Sequence, residues 1–315
     1  MKIIFMGTGV FASIVLQKLI NSGLELFAII TQPDKPSGRE QDIIFSPVKN
    51  LAVEKNLDVY QPKSLIKADG FILIDSLAPD LIIVADYGKI IPKNILDLPK
   101  FGALNIHPSL LPKYRGSSPL QETILNGDKE TGVTIILLDE EMDHGPIVGQ
   151  EKLEMGSQKY SLAELRQKLA ELGGDLAIKI LPDYLSGKIK PIAQNHDRAT
   201  YTKIIVKEDG KINWEKSAEE IDCQLRAYGE WPGSWTEWEN NSKKCKLKII
   251  EAEISGSDLP SGVIPGTVYI QNNNLMVQCG KNSLIIKSLQ LEGKNKISSQ
   301  EFLRGHSKII GSVLK

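Results

Sequence analysis

The sequence predicts an α/β chain with a Rossmann-like, mostly parallel sheet covered by helices on both faces, followed by a small C-terminal β-barrel of the OB-like kind. Short apolar runs alternate with helical patterns as far as Leu185, and closely spaced short strands with Asn- and Gly-rich turns follow later. A chain of 315 residues also exceeds the usual size of a single core. We therefore expect two domains, 1–187 and 207–315, joined by the polar, proline-bearing linker 188–206.

The first domain opens with apolar runs that have the length of buried strands. Lys2 to Met6 precedes a helical pattern from Phe11 to Ile20, and further apolar runs lie at 26–30, near Val59 and at 81–84. Strands that alternate with helices in this way predict a parallel sheet that is buried on both faces.

The first strand leads into Gly7-x-Gly9-x-x-Ala12, which resembles the fingerprint of dinucleotide-binding folds. In such folds an acidic residue ends the second strand, but the candidate here, Asp34, lies beyond that strand in a polar, proline-rich segment. A tight strand-to-helix turn is the simpler explanation of the glycines. A nicotinamide-dependent oxidoreductase stays open as the alternative from a different reaction class.

Residues 32–40 form a predicted loop that is long for an α/β connection, and loops of this kind are often functional. Lys35 and Arg39 lie on this loop and could meet an anionic partner. Two solvated surface charges would give the same pattern, so composition leaves both possibilities open.

The stretch from Asn105 to Gly116 contains the residues best suited to chemistry. It follows the short apolar segment 102–104, and if that segment is a strand, Asn105 and His107 point to the same side of it. An amide and an imidazole at the carboxyl end of a strand suit the polarisation of a carbonyl and the movement of a proton. The alternative is an Asn in a turn and a His satisfied by backbone groups.

A third polar residue, Asp143, follows the near-continuous apolar strand 132–138 and precedes the turn Gly145-Pro146. An Asp before a turn is commonly a cap. If strand 132–138 runs parallel to the strand that carries His107, both segments leave the sheet at the same edge. We therefore expect Asp143 to lie beside His107.

The second half of the chain changes its pattern. An amphipathic period predicts a helix over 161–185. Beyond the linker, the sequence predicts a short helix at 218–227 and four strands, at 246–254, 266–271, 275–279 and 283–291. This succession is typical of a small β-barrel.

Composition narrows the partners and the compartment. The formal net charge is -1, so no global field draws the protein to nucleic acid or membrane, although local patches still can. The three cysteines, Cys223, Cys245 and Cys279, are far apart, which argues against a zinc site or a disulfide framework. We expect a cytoplasmic protein, because neither a signal peptide nor a membrane-spanning run is recognisable.

Taken together, motifs along the whole chain resemble the methionyl-tRNA formyltransferases. The matching motifs are Thr31-Gln32-Pro33-Asp34, Pro36-Ser37-Gly38-Arg39, Ser46-Pro47-Val48-Lys49, Val84-Ala85-Asp86-Tyr87-Gly88, Asn105-x-His107-x-Ser109-Leu110-Leu111-Pro112, Arg115-Gly116, Gly132-Val133-Thr134 with Asp143, Ile212-Asn213-Trp214, Arg226-Ala227-Tyr228 and Trp231-Pro232-Gly233. The Asn-His-Asp set is shared with glycinamide ribonucleotide and sugar-nucleotide formyltransferases, which remain alternatives, as does a tRNA-binding protein without activity.

The resemblance implies transfer of a formyl group from 10-formyltetrahydrofolate to the amine of initiator methionyl-tRNA, with no metal, no membrane and no obligate protein partner. It implies two groups of site residues: catalytic Asn105, His107 and Asp143; and folate-binding Ser109, Leu110, Leu111 and Pro112. We expect tRNA to be bound by Lys35 and Arg39 of the loop and, because positive charge is in surplus near the C-terminus, by lysines of the second domain, namely Lys243, Lys244, Lys281, Lys287, Lys294 and Lys296. Domain 1–187 would then be catalytic, and domain 207–315 would bind tRNA.

The chain departs from the family pattern at two places. After Asp143 it continues with His144-Gly145-Pro146, as the glycinamide ribonucleotide enzymes do more closely, and its first turn is Gly7-Thr8-Gly9 in place of Gly-Thr-Pro. Neither departure removes a residue of the expected catalytic set.

Overall fold

The structure is a computed structural model that describes residues 1–37, 42–240, 243–256 and 263–315. Its contacts divide the chain into two compact units, the first formed by 1–119, 129–157 and 164–202, the second by 120–128, 158–163 and 203–315. The segment expected to be a linker, 188–206, therefore contributes to the first unit as far as residue 202.

A seven-stranded sheet forms the centre of the first unit. The strands of this unit are β1 (Ile3–Gly7), β2 (Ala28–Ile30), β3 (Lys35–Ser37), β4 (Asp42–Ile44), β5 (Val59–Tyr60), β6 (Leu81–Ala85), β7 (Ala103–His107), β8 (Glu130–Leu137) and β9 (Ile147–Glu154). Their spatial order is β5-β2-β1-β6-β7-β8-β9, and β3 pairs only with β4. The strands from β5 to β7 are parallel, whereas β8 and β9 are antiparallel additions. The mostly parallel sheet is confirmed, but β9 was not predicted.

Helices cover both faces of this sheet. They are α1 (Val10–Asn21), α2 (Pro47–Glu54), α3 (Ala68–Leu77), α4 (Lys93–Leu96) and α6 (Leu162–Leu185), whereas α5 (Pro119–Leu125) belongs almost wholly to the second unit. On one face Ile4 packs in a cluster with Ile74 of α3 and Ile95 of α4. On the other face Ile106 and Ile180 of α6 line the same small cavity, and Ile106 lies close to Gly173 of that helix. The two clusters are separate because successive side chains of a strand point to opposite faces.

The second unit contains an antiparallel barrel. Its elements are α7 (Ala218–Ala227), β10 (Ser234–Asn240), β11 (Lys243–Ser255), β12 (Val268–Gln271), β13 (Asn274–Gln278), β14 (Ser283–Leu291), β15 (Ile297–Ser298) and α8 (Ser299–Gly305). The strand order is β10-β11-β14-β13-β12, with β15 beside β14. The C-terminal residues bond to both outer strands, Lys315 to Glu237 of β10 and Leu314 to Gly266 before β12. These bonds connect the two outer strands of a curled antiparallel sheet, a half-barrel in which β10 was not predicted.

The core of the second unit is built around Trp238, which is only 1% exposed. The indole meets Phe302 edge-on, with ring centroids 5.8 Å apart, and His306 in the same manner at 5.7 Å. Burial of a side chain this large removes much apolar surface from water, so we expect Trp238 to contribute strongly to stability.

Replacement of Trp238 by Ala should lower the free energy of unfolding by about 3–5 kcal/mol, because it removes a buried aromatic side chain and leaves a cavity. Denaturant unfolding followed by circular dichroism measures the change. Trp231, which lies in the same unit and is 55% exposed, offers the matched Trp→Ala control. A similar loss in both variants would contradict the assignment of Trp238 to the core.

Candidate active site

The structure brings Asn105, His107 and Asp143 together. Asn105 and His107 lie two residues apart on β7, so both side chains leave the same face of the strand. The Asn105 Nδ2 group donates to Oδ1 of Asp143 over 3.4 Å, and Nδ1 of His107 lies 3.5 Å from the same oxygen. The juxtaposition expected from sequence is present, and the chemical roles of the three residues remain predictions.

The route by which Asp143 reaches the site differs from the prediction. The strand before it, β8, runs antiparallel to β7, so the expected parallel pairing is wrong and β8 ends at the opposite edge of the sheet. The loop 138–146 carries Asp143 back. A side chain at Gly145 would lie 1.9 Å from the carbonyl oxygen of Leu137, so the tight return of this loop requires glycine there.

The carboxylate of Asp143 is held from two sides. Its Oδ2 accepts a hydrogen bond of 2.7 Å from the backbone N–H of Gly116, while Oδ1 faces Asn105 and His107. The backbone of Asp143 has a left-handed conformation with φ of 50°. Non-glycine residues adopt this region only when their surroundings hold them there.

A backbone carbonyl fixes the imidazole of His107. Nε2 lies 2.9 Å from the carbonyl oxygen of Tyr114, which can only accept, so Nε2 carries a proton. In the neutral ring Nδ1 is then unprotonated and turned toward Asp143. Tyr114 itself is left-handed, with φ of 61°, and Thr200 Oγ1 accepts from its N–H over 2.8 Å. Neither Tyr114 nor Thr200 was predicted as a site residue.

A fourth polar residue, Asp86, follows β6 at the carboxyl edge of the sheet. Its backbone carbonyl accepts from the N–H of Thr8, so it lies between the ends of β1 and β6, where ligands of open α/β sheets usually bind. More than a third of the residue is accessible to solvent. Desolvation by the surrounding atoms nevertheless raises the pKa of Asp86 to about 6, against the opposing charge of Arg166. Asp86 was not among the predicted site residues, although an acidic residue directly after a buried strand is a signal that the sequence offers.

Close packing explains the glycine fingerprint. A side chain at Gly9 would lie 2.0 Å from the Asp86 carboxylate, and one at Gly7 would lie 2.8 Å from the carbonyl oxygen of Ala85, so the two glycines allow the chain to pass close to these groups. Asp34, the candidate ribose ligand, bonds to Lys49 and Gln61, and the hydrogen bond from Lys49 is the main cause of its lowered pKa. Contacts within the protein thus account for both halves of the dinucleotide motif.

The four residues expected to bind folate divide into two pairs. Ser109 and Leu111 are buried, and the backbone N–H of Leu111 donates to Thr134 Oγ1 over 3.0 Å. That N–H therefore has its partner within the protein. Leu110 and Pro112 are half-buried and keep accessible apolar surface.

The lysines expected to bind tRNA lie at separate places. Arg39 lies outside the described residues, and the Lys35 side chain is likewise not among those described. Within the barrel, four of the lysines lie near one edge, because the start of β11 pairs with the end of β14: Lys243, Lys244, Lys294 and Lys296. Lys281 instead lies beside the start of α7, and Lys287 forms an ion pair with Glu253.

A lysine cluster that is not part of the expected tRNA-binding set surrounds Trp235 on β10. We define the Trp235 surface as Lys207, Lys211, Trp235, Lys246 and Lys248. Nζ of Lys246 lies 3.3 Å from the centroid of the indole. Burial is the first cause of the lowered pKa of Lys246, and the charges of Lys207 and Lys248 lower it further. Three acids moderate the cluster, namely Glu208, Glu237 and Glu292.

The described part of the chain contains no group of three or more His, Cys, Asp or Glu residues able to hold a metal ion. None of the helices in this part is both long and apolar enough to cross a membrane.

Comparison with known proteins gives consistent matches over both units. Family models described as "Formyl transferase" and "Formyl transferase, C-terminal domain" match residues 1–181 and 204–307. The methionyl-tRNA formyltransferase of Rickettsia bellii is 44% identical over 305 residues, or 97% of either chain. That of Alkaliphilus oremlandii is 39% identical over 315 residues, 100% of this chain and 99% of the relative.

Solved structures share the fold at lower identity. WlaRD, a sugar 3N-formyl transferase solved in the presence of dTDP and 5-N-formyl-THF, has a TM-score of 0.64 and 21% identity, covering 94% of this chain and 99% of that chain. HypX from Aquifex aeolicus in complex with tetrahydrofolic acid has a TM-score of 0.63 and 18% identity, covering 98% of this chain and 48% of that chain. At these identities the likeness establishes the fold alone.

Replacement of Asp86 by Asn should change how stability depends on pH. Because the pKa of Asp86 rises from 3.8 to about 6 on folding, its stabilising contribution is present at low pH and lost as pH increases through about 6. The free energy of unfolding of Asp86→Asn relative to wild type should therefore rise between about pH 4 and about pH 6 and stay level above about pH 7, because the folded state binds more protons than the unfolded state only between the two pKa values. Denaturant titrations test this, with exposed Asp75→Asn as baseline. A difference that is constant with pH would contradict the assignment.

Proposed function

We propose, from the premise that this chain belongs to the formyl transferase family, that it transfers a formyl group from 10-formyltetrahydrofolate to the α-amine of initiator methionyl-tRNA in the cytoplasm. The observation that carries the proposal is the convergence of Asn105, His107 and Asp143 at one edge of the sheet. The full-length similarity to relatives named methionyl-tRNA formyltransferase supports the choice of acceptor.

The donor set suits the formyl group that 10-formyltetrahydrofolate supplies when bound. As the amine attacks the formyl carbon, negative charge develops on the formyl oxygen. Nδ2 of Asn105 would donate a hydrogen bond to that oxygen, and one such donor typically contributes about 3 kcal/mol to transition-state stabilisation. Leu110 and Pro112 would supply an apolar wall, with Ser109 and Leu111 supporting it from the interior.

His107 would handle the protons. The amine must lose a proton and the folate nitrogen must gain one, and an imidazole can do both. The bond from Nε2–H to the Tyr114 carbonyl leaves Nδ1 as the atom that takes up and returns the proton. The carboxylate of Asp143, 3.5 Å away, would stabilise the imidazolium while it exists.

A direct assay tests the reaction. The intact protein is mixed with 10-formyltetrahydrofolate and initiator tRNA charged with methionine, and formyl-methionine is the expected product. Parallel reactions with a sugar nucleotide amine or glycinamide ribonucleotide test the alternative acceptors. Turnover of either in place of charged tRNA would overturn the assignment, and a change in NADH fluorescence on mixing would revive the oxidoreductase.

Single replacement of Asn105, His107 or Asp143 by Ala should lower turnover by about 100-fold or more, because each removes a group that acts in the transition state. Combined replacements should lose less than the product of the single effects, since the three residues act as a unit. Steady-state kinetics and circular dichroism measure rate and folding. Asn50→Ala, at an exposed position of α2, is the control. Near wild-type turnover in His107→Ala would remove that residue from the mechanism.

We assign tRNA binding to the second unit, with the Trp235 surface and the neighbouring barrel edge as its centre. Lysine side chains contact phosphates, and an indole offers a face for stacking of a base. Lys35 and Arg39 would add contacts from the first unit. The role of 207–315 as the tRNA-binding domain, and of 1–187 as the catalytic domain, belongs to the same proposal.

Replacement of both Lys246 and Lys248 by Ala should weaken binding of charged tRNA and lower the slope of log affinity against log salt by about two, one for each phosphate contact. Filter binding at several salt concentrations measures both quantities. Lys281→Ala with Lys287→Ala is the matched pair from the rest of the barrel. An equal loss in the two double variants would mean that binding is spread over the whole barrel, and no loss in the first would exclude the Trp235 surface.

A further inference from the structure

We propose that Arg115, Gln194 and His196 are positioning residues that hold Asp143 in place for the reaction. The inference rests on the proposed function and extends it to residues that do not touch the reacting atoms. Gln194 and His196 lie in the segment that sequence analysis treated as a linker, and Arg115 was recognised only as part of a motif.

Gln194 binds the backbone of the loop 138–146. It is 5% exposed, and its Nε2 donates to the carbonyl oxygens of Asp143 and Gly145, each over 2.8 Å. Two carbonyls that flank one residue are thereby tied to a single amide. This grip restrains the left-handed backbone of Asp143, which would otherwise relax toward commoner conformations.

Arg115 in turn fixes the orientation of Gln194. Its Nε and one terminal nitrogen donate to Oε1 of Gln194 over 3.2 and 2.7 Å. A guanidinium can only donate, so Oε1 must face Arg115 and Nε2 must face the loop. The N–H of the next residue, Gly116, binds the Asp143 carboxylate. Arg115 and its neighbour therefore restrain both the backbone and the side chain of Asp143.

A third tether passes through His196. The guanidinium of Arg115 donates to Nδ1 of His196 over 2.8 Å, and the His196 ring stacks on that of His144 with centroids 4.0 Å apart and planes inclined by 9°. His144 also donates from Nδ1 to Asp139 over 2.7 Å. The residue that departs from the family pattern thus ties the middle of the loop to the same arginine.

Arg115 is 1% exposed, which excludes direct contact with a substrate. Within the described residues, its side-chain partners are the neutral groups of Gln194, His196 and Tyr201. A buried charge held by neutral acceptors is costly unless those bonds are all made, so the arrangement tolerates little displacement. A rigid loop is the consequence that matters for Asp143.

The test is a double-mutant cycle in the intact protein. Gln194→Ala should lower kcat by roughly 10- to 100-fold, the effect of a misplacement of about 1 Å, while KM for both substrates changes by less than about threefold. In an Asp143→Ala background the same change should lower kcat by less than about twofold, because the group that it positions is already absent. Exposed Gln167→Ala on α6 is the matched control.

One further measurement and a second variant separate positioning from general stability. Amide hydrogen exchange in 138–146 should quicken in Gln194→Ala without a global change. If Gln194→Ala does not fold, the volume-conserving variant Gln194→Met takes its place in the same measurements. Losses that multiply across the cycle, or a wild-type kcat in the Gln194 variants, would overturn the inference. An inactive wild-type protein would instead contradict the proposed function, so the two failures are distinguishable.

Discussion

The candidate site depends on one constraint, which is that the chain must bring the Asp143 carboxylate back from the edge of the sheet opposite to His107. Since β8 is antiparallel to β7, the chain leaves β8 at the far edge, and only the loop 138–146 brings Asp143 back to His107. The contacts that make this possible are local and specific. Gly145 permits the tight return, and the N–H of Gly116 receives the carboxylate.

Three residues at the site, Asp86, Tyr114 and Asp143, have left-handed backbones that non-glycine residues seldom adopt. Two of them are restrained by a side chain from the segment 192–202, Tyr114 by Thr200 and Asp143 by Gln194. Unusual backbone geometry of this kind persists at functional sites when neighbouring structure compensates for its cost. The segment beyond α6 is therefore part of the support of the site, although it contains no long regular element.

The sequence predicts those parts of the molecule whose pattern is local. The helices α6 and α7 and the strands β1, β6 and β14 follow from period and apolar continuity, and Asn105 with His107 follows from strand alternation. By contrast, β9 and β10 contain many polar residues. Neither has a long apolar run that would distinguish it from a loop. The contacts of Gln194, in the segment expected to be a linker, could not be predicted for a related reason, because polar residues acquire their role only from tertiary partners.

The departure at His144 shows how such a partner can be overlooked. Beside Asp143 in sequence, this imidazole suggests a change of substrate, yet its ring is stacked on His196 and its Nδ1 is bonded to Asp139. Both contacts hold the loop. A polar residue next to a catalytic candidate is therefore better judged by the direction of its hydrogen bonds than by its distance along the chain. By that measure His144 belongs with Arg115 and Gln194, on the supporting side of Asp143.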